Sequence, residues 1–195
     1  MTESMSEKQG KLVVISGPSG AGKTSVCRVL KENAEVEFSV SATTRCMREG
    51  EQDGVDYHFL TREVFEQRLS EDQFLEHAEY NGNLYGTPRW PMDDALARGK
   101  TFLVEIEVDG TRQLRRRGVA GLYLFIEPPS IAELRGRLER RGTNGAEEIA
   151  QRVRIAEEEI LAARADVDGV ALYDQFVVNA DLPVTIDRVK ELLWP

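Results

Sequence analysis

Lys23 stands directly before a hydroxyl residue and directly after a run rich in glycine, a setting in which a cation and several bare backbone amides can meet one anion. The eight residues Gly17, Pro18, Ser19, Gly20, Ala21, Gly22, Lys23 and Thr24 match the spacing G-x-x-x-x-G-K-[ST] at every fixed position. Glycine has no Cβ, so successive N–H groups can turn inward and form a cradle for phosphate oxygens. A helix opening at the end of the loop points its positive dipole end at the same anion. Lys23 adds a mobile point charge for the outer phosphates, and the Thr24 hydroxyl is placed to ligate Mg²⁺. The chemistry implied is the holding of a nucleoside triphosphate.

The loop needs a strand before it and a helix after it, and both are legible. Leu12 to Ile15 is a short apolar run of buried-strand type, and Ser25 to Leu30 carries apolar residues at helical spacing. With 195 residues and 41% hydrophobic content, the chain can bury one sizeable α/β core with smaller attachments. It has no apolar run of membrane-spanning length, and its polar first residues have no signal-peptide core, so a soluble, unsecreted, cytoplasmic protein is expected. Cys27 and Cys46 show neither metal nor disulfide spacing and read as incidental. A net charge of −9 argues against a nucleic-acid-binding surface and makes local arginine clusters conspicuous.

Alternating elements follow. A strand is expected at 38–41, an exposed loop from Arg45 to Asp56, a strand at 57–60, a helix capped by Thr61 and ending near Glu71, and a strand over 74–80 closed by Asn81-Gly82. Parallel alternation resumes with a helix ending near Gly99 and a strand from Thr101 to Glu107, after which Asp109 is expected to cap a short basic helix. A strand over 121–126 stops at Pro128-Pro129, and Ser130 with Glu133 forms a capping box for a helix. A charged helix over about 146–165 has an apolar stripe at Ile149, Val153, Ala156 and Ile160. A strand over 176–179 and a helix over about 184–193 close the chain. The two histidines, His58 and His77, read as sheet-surface residues, and Trp90 and Trp194 as packing.

A second constellation runs Thr43-Thr44-Arg45, Arg48, Gly50-Glu51, Gly54, Asp56-Tyr57 and Phe59. Two arginines three apart on one loop can close a fork on a phosphate, with Tyr57 and Tyr85 adding hydroxyl donors, so a monophosphate is the natural occupant. This block resembles the GMP-binding segment of guanylate kinases, T-T-R-x-x-R-x-G-E-x-x-G-x-D-Y-x-F. Further resemblances lie at Phe74-Leu75-Glu76, Asn83 to Thr87, Leu103 to Glu107, Arg137-Leu138, Arg141-Gly142-Thr143 and Val178-Asn179, in family order over residues 12 to about 190.

The resemblance implies a P-loop NTPase-type three-layer α/β fold with a parallel core sheet, in one guanylate kinase-like domain. Residues 1–40, 91–130 and 166–195 would form the core, 41–90 a GMP-binding insertion, and 131–165 a helical lid. It implies an ATP:GMP phosphotransferase of purine nucleotide metabolism, recycling GMP, with Mg²⁺ as cofactor and ATP and GMP as small-molecule partners. No nucleic acid or membrane is expected to bind, and oligomeric state is left open. By resemblance Gly17 to Thr24, with Ser25 and Asn179, bind ATP. Ser41, Arg45, Arg48, Glu51, Tyr57, Glu76, Tyr85, Thr87, Glu105 and Glu107 bind GMP. Lys23, Arg48, Arg141 and Arg152 would be catalytic. Glu76 suits guanine because a carboxylate accepts two hydrogen bonds and guanine offers two adjacent donors on one edge. Glu105 and Glu107, two apart at a strand's carboxyl end, would share a face, their division between nucleotide and hydrated Mg²⁺ left open. Where the family pattern often follows Arg-Gly-Thr with an acid, this chain has Asn144-Gly145. Two rivals are a phosphopeptide-binding module with a degraded ATP side and a P-loop kinase for a sugar phosphate. Lys23 with the lid arginines counts against the first, and the Arg45–Tyr57 block with Glu76 against the second.

Overall fold

The computed structural model describes residues 10–140 and 145–195. In chain order, β1 (Lys11–Ser16) leads to α1 (Lys23–Leu30), β2 (Val36–Phe38), β3 (Ala42–Thr43) and β4 (His58–Phe59). Then come α2 (Arg62–Ser70), β5 (Phe74–Tyr80), β6 (Asn83–Pro88), α3 (Trp90–Ala97) and β7 (Thr101–Glu105). The remainder is α4 (Val108–Arg116), β8 (Leu122–Glu127), α5 (Ile131–Arg140), α6 (Ala146–Ala163), β9 (Asp166–Val167), β10 (Val170–Ala171), β11 (Gln175–Val178) and α7 (Leu182–Leu193). The described residues form two compact units: one contains Glu35–Val104 with residues 10–12, the other the described residues of Val13–Ala34 and Glu105–Pro195. The first is wider than the expected segment 41–90, since it also takes in β2, α3 and most of β7. None of the described helices is long and apolar enough to cross a membrane.

The unit carrying the glycine loop is built on parallel strands. β8 pairs in parallel with β1, Val13 facing Leu122 and Ser16 facing Phe125, and on its other edge with β11. Parallel strands are covered on both faces, which is why Val13 to Ile15 and Tyr123 to Ile126 are uninterrupted apolar runs with no exposed surface. Ser130 accepts the Glu133 N–H at 3.1 Å, as the capping box requires, but the Glu133 carboxylate turns to Arg137 and Arg140 and the box is not reciprocal. α5 and α6 share a small core of Leu134, Leu138, Ile149, Val153 and Ala156, so the predicted stripe is buried through Ala156.

The other unit holds the parallel pair β2–β7 and a mixed four-stranded sheet in the order β4-β3-β6-β5. Here β3 runs parallel to β4 and antiparallel to β6, and β5 is antiparallel to β6. Asn81 (φ +49°) and Gly82 (φ +73°) both sit in the left-handed region, the backbone demanded by a two-residue hairpin turn. Thr61 caps α2, accepting the Val64 N–H at 3.3 Å. Beneath the sheet, Phe65 stacks on Phe74 and Trp90 meets Phe74 edge-on, in agreement with a packing role for Trp90.

Four expectations need correction. The strand at 38–41 is two short strands, β2 and β3, joined through Ser39 to Ser41. β7 ends at Glu105, so Glu107 lies beyond the strand and is the N-cap of α4. Asp109 therefore does not cap that helix; it sits in the first turn and pairs with Arg112 at 2.6 Å. α7 starts at Leu182 rather than near Val184, because Asp181 accepts the Val184 N–H at 3.1 Å.

Candidate active site

The glycine loop follows β1 because the chain must turn sharply out of a buried strand. Gly17, Gly20 and Gly22 have φ of +147°, +89° and +96°. A Cβ at Gly17 would stand 2.1 Å from the Ile126 carbonyl oxygen, and one at Gly22 2.2 Å from Asn179 Nδ2, so neither position admits a side chain. The Ala21 N–H closes the turn onto the Pro18 oxygen at 3.1 Å, and α1 opens with the Ser25 and Val26 N–H groups on the Gly22 oxygen.

Lys23 is the first residue of α1, and its ammonium folds back onto the carbonyl oxygens of Gly17 and Pro18. Burial lowers its pKa from the ordinary lysine value, while the negative charges of Glu105, Glu159 and Glu107 act in the opposite direction. The ammonium is thus partly desolvated and lies within the field of three acids. The Thr24 hydroxyl donates to Glu105 Oε1 at 2.9 Å, which brings two of the expected residues together at the end of β7. Burial, then Glu105, raises the pKa of the Cys27 thiol, which leaves it protonated and inert.

Asn179 and Arg137 flank the loop. The buried Asn179 side chain donates from Nδ2 to the Ala21 oxygen at 2.7 Å, and the Asn179 backbone carbonyl accepts from Arg137 at 2.8 Å. A cleft of about 290 Å³ is lined by Gly20, Gly22, Ser25, Arg137, Arg140 and Asn179. Arg137 and Arg140 read from the sequence as solvated helix charges, yet both line this cleft and both bind Glu133. Their i, i+4 and i, i+7 spacing from Glu133 was the available signal. Arg152 pairs with Glu148 at 3.2 Å on α6. Arg141, like Asn144, lies outside the described residues. Glu107 lines a separate cleft of about 310 Å³ with Asp109, Arg112, Ile155, Glu158 and Glu159. Glu159 carried no sequence signal; burial raises its pKa, Lys23 opposes this, and Glu107 and Asp109 add to it.

The other unit presents the second constellation. Glu51 receives both guanidinium nitrogens of Arg45, at 3.0 and 2.8 Å, and also the Arg48 N–H at 2.8 Å. Its carboxyl pKa is lowered, first by the Arg45 hydrogen bond and then by the Arg48 amide. Glu51 therefore organises the arginine loop. Arg45 lies 5.4 Å from the Tyr57 ring centroid, and Tyr57 meets Tyr85 edge-on at 6.1 Å. Glu76 and Thr87 face each other across β5 and β6, and the Thr87 hydroxyl donates to Glu76 Oε1 at 2.6 Å. The Ser41 carbonyl accepts the His58 N–H at 2.8 Å, fixing the approach to β3.

Oxygen donors suited to Mg²⁺ are few. Thr24 and Glu105 are hard ligands in contact, and no group of three or more His, Cys, Asp or Glu among the described residues could hold a metal. That donor set fits an ion held mainly by phosphates and water.

The family model described as guanylate kinase matches residues 9–195. A guanylate kinase of Desulfitobacterium hafniense (strain Y51) is 41% identical over 190 residues, covering 97% of this chain and 92% of the relative. One from Carboxydothermus hydrogenoformans is 44% identical over 186 residues, covering 95% and 88%. The crystal structure of guanylate kinase from Anaplasma phagocytophilum superposes with a TM-score of 0.69 at 32% identity, covering 97% of this chain and 87% of that one. An unliganded sugar kinase from Janibacter sp. HTCC2649, TM-score 0.50 and 15% identity over 94% of each chain, shares the fold alone. The chain belongs to the guanylate kinase family of nucleoside monophosphate kinases, on a P-loop NTPase-like α/β fold.

Proposed function

We propose that this protein transfers the γ-phosphoryl group of ATP to GMP, giving ADP and GDP, in cytoplasmic purine nucleotide metabolism. The observation that carries the reading is the state of the glycine loop. Lys23 and Thr24 head α1 with the ammonium on the loop and the hydroxyl on Glu105, so the donor side retains its chemistry. A binding module derived from the fold has no need of either group.

In the reaction a phosphate oxygen of GMP forms a bond to Pγ as the bond from Pγ to the ADP oxygen breaks. No protein nucleophile is required, and catalysis rests on alignment and charge. The loop N–H groups and Lys23 receive the β- and γ-phosphates. Arg45 and Arg48, held by Glu51, orient the GMP phosphate, with Tyr57 and Tyr85 as further donors. Glu76, with Thr87 and Ser41, reads the guanine edge. Arg141 and Arg152 bring positive charge to the transferring group, whose negative charge spreads over its oxygens in the transition state. Thr24 and Glu105 are the residues that would hold Mg²⁺, which would supply neutralisation of phosphate charge. Glu107, at the head of α4, is assigned to the nucleotide-binding set. We assign residues 41–90 to acceptor binding and 131–165 to a lid that excludes water, so that ATP does not hydrolyse unproductively.

A coupled assay with ATP, Mg²⁺ and GMP tests the assignment. Formation of equimolar ADP and GDP is expected. No ADP, accompanied by phosphopeptide binding, overturns it in favour of an interaction module.

A further inference from the structure

The Asn179 side chain leaves little freedom about which of its ends is which. One end lies 2.7 Å from the Ala21 carbonyl oxygen, which can only accept, so that end is the Nδ2 amide. The other end, Oδ1, is 3.1 Å from the Thr185 hydroxyl of α7, whose one proton is shared with the Asp181 carbonyl oxygen at 2.7 Å. The backbone is held as well, its N–H on the Glu127 oxygen at 2.8 Å and its carbonyl under Arg137. Asn179 is 4% exposed, and its amide fills the space that a side chain at Gly22 would need.

Ala21 and Gly22 share one trans peptide plane, in which the Ala21 C=O and the Gly22 N–H point in opposite directions. Drawing the Ala21 oxygen toward Asn179 therefore aims the Gly22 N–H the other way. Gly22 is also the N-cap of α1, directly before Lys23, so the same peptide sets the start of the helix. A glycine loop with φ near +90° at two positions has alternative conformations close in energy, and one firm bond at this peptide selects among them.

We propose that Asn179 is a positioning residue of the phosphate loop: braced by Thr185, it holds the Ala21–Gly22 peptide with its N–H presented to the triphosphate. This rests on the proposed ATP-dependent reaction. It gives Asn179 a role toward phosphate, in place of the adenine contact that the family resemblance suggests for it.

The two roles separate with a ligand that has no base. Binding of ATP and of inorganic tripolyphosphate is measured for wild type, Asn179→Ala and Thr185→Val, with GMP binding and the unfolding midpoint followed alongside. Loss of a net hydrogen bond is about tenfold in affinity. Asn179→Ala is expected to weaken ATP and tripolyphosphate by the same factor, about tenfold, with GMP binding kept. Thr185→Val keeps the side-chain volume and sits 2% exposed, out of reach of any nucleotide, yet it should weaken both ligands in parallel by a few-fold. Weaker ATP with unchanged tripolyphosphate in Asn179→Ala would place Asn179 on the base and overturn the proposal, as would unchanged affinity for both. If Asn179→Ala does not fold, Thr185→Val decides by the same criterion. Failure of the kinase assignment is distinguishable, because wild type would then make no GDP whatever the binding ratios.

Discussion

At the scale of single residues, the two units carry complementary devices. In one a part-buried ammonium, Lys23, rests on the glycine loop; in the other one carboxylate, Glu51, holds the Arg45 guanidinium and the Arg48 backbone N–H. In the proposed reaction, base choice is assigned to Glu76. Its Oε1 accepts from the Thr87 hydroxyl at 2.6 Å, which orients the carboxylate. Glu76→Gln keeps the size but replaces an acceptor by an N–H₂ that confronts guanine's own donors. A hydrogen bond to a charged group contributes about 1.5–3 kcal/mol, so kcat/KM for GMP should fall about 10²-fold and the GMP:AMP ratio should narrow by a similar factor. Thr87→Val should cost about tenfold. Steady-state kinetics with both nucleotides check this, and an unchanged GMP:AMP ratio in Glu76→Gln removes Glu76 from base recognition.

At the scale of elements, α5 and α6 form their own small core, separate from that of the sheet. Leu138 belongs to it and lies near the loop: a Cβ at Gly20 would meet Leu134 at 2.9 Å and Leu138 at 3.3 Å. Leu138→Ala should cost about 2–5 kcal/mol by opening a cavity there. The expected result is faster amide exchange through α5 and α6, with a several-fold higher KM for ATP; unaltered exchange in α6 would show that the two helices do not depend on this core. Why this level was largely readable beforehand is visible in particular residues. Thr61, Asn81-Gly82 and Pro128-Pro129 are local signals whose effect is decided within a few residues, and each does in the structure what its chemistry dictates. The β9–β10 hairpin turns at Asp168 and Gly169, both at positive φ, but its strands of two residues leave no alternation legible in the sequence. The end of β7 was misjudged for another reason: Ile106 continues the apolar run, but Glu107 turns into the cap of α4. Asn179 on Ala21, and Glu159 facing Lys23, join residues far apart in sequence, and no local pattern announces them.

At the scale of the molecule, stability depends on strands buried on both faces, and Tyr123 near the start of β8 is a polar end placed among them. Its hydroxyl donates to Val119 O at 2.7 Å, Arg115 lies over its ring at 3.7 Å, and Asp174 accepts its N–H while bonding Arg115. Burial pushes the Tyr123 pKa up to about 12, partly offset by Arg115 and reinforced by Asp174. A group whose folded pKa lies above its unfolded value near 10 stabilises the fold fully below pH ~10 and loses that contribution as pH rises toward 12. The amount at stake is on the order of 2 kcal/mol, because ionisation would place a phenolate against β8 with only Arg115 to meet it. Tyr123→Phe removes the titration and one hydrogen bond, so it should be about 1 kcal/mol less stable at pH 8. The difference from wild type should then shrink from about pH 10 and reverse at about pH 11, as the wild-type loss overtakes the hydrogen bond. Comparing denaturant midpoints of the two proteins across that range cancels the other tyrosines and the lysines, which are the same in both. Two stability curves that stay parallel above pH 10 would mean that Tyr123 titrates alike in the folded and unfolded chain, so that burial does not raise its pKa.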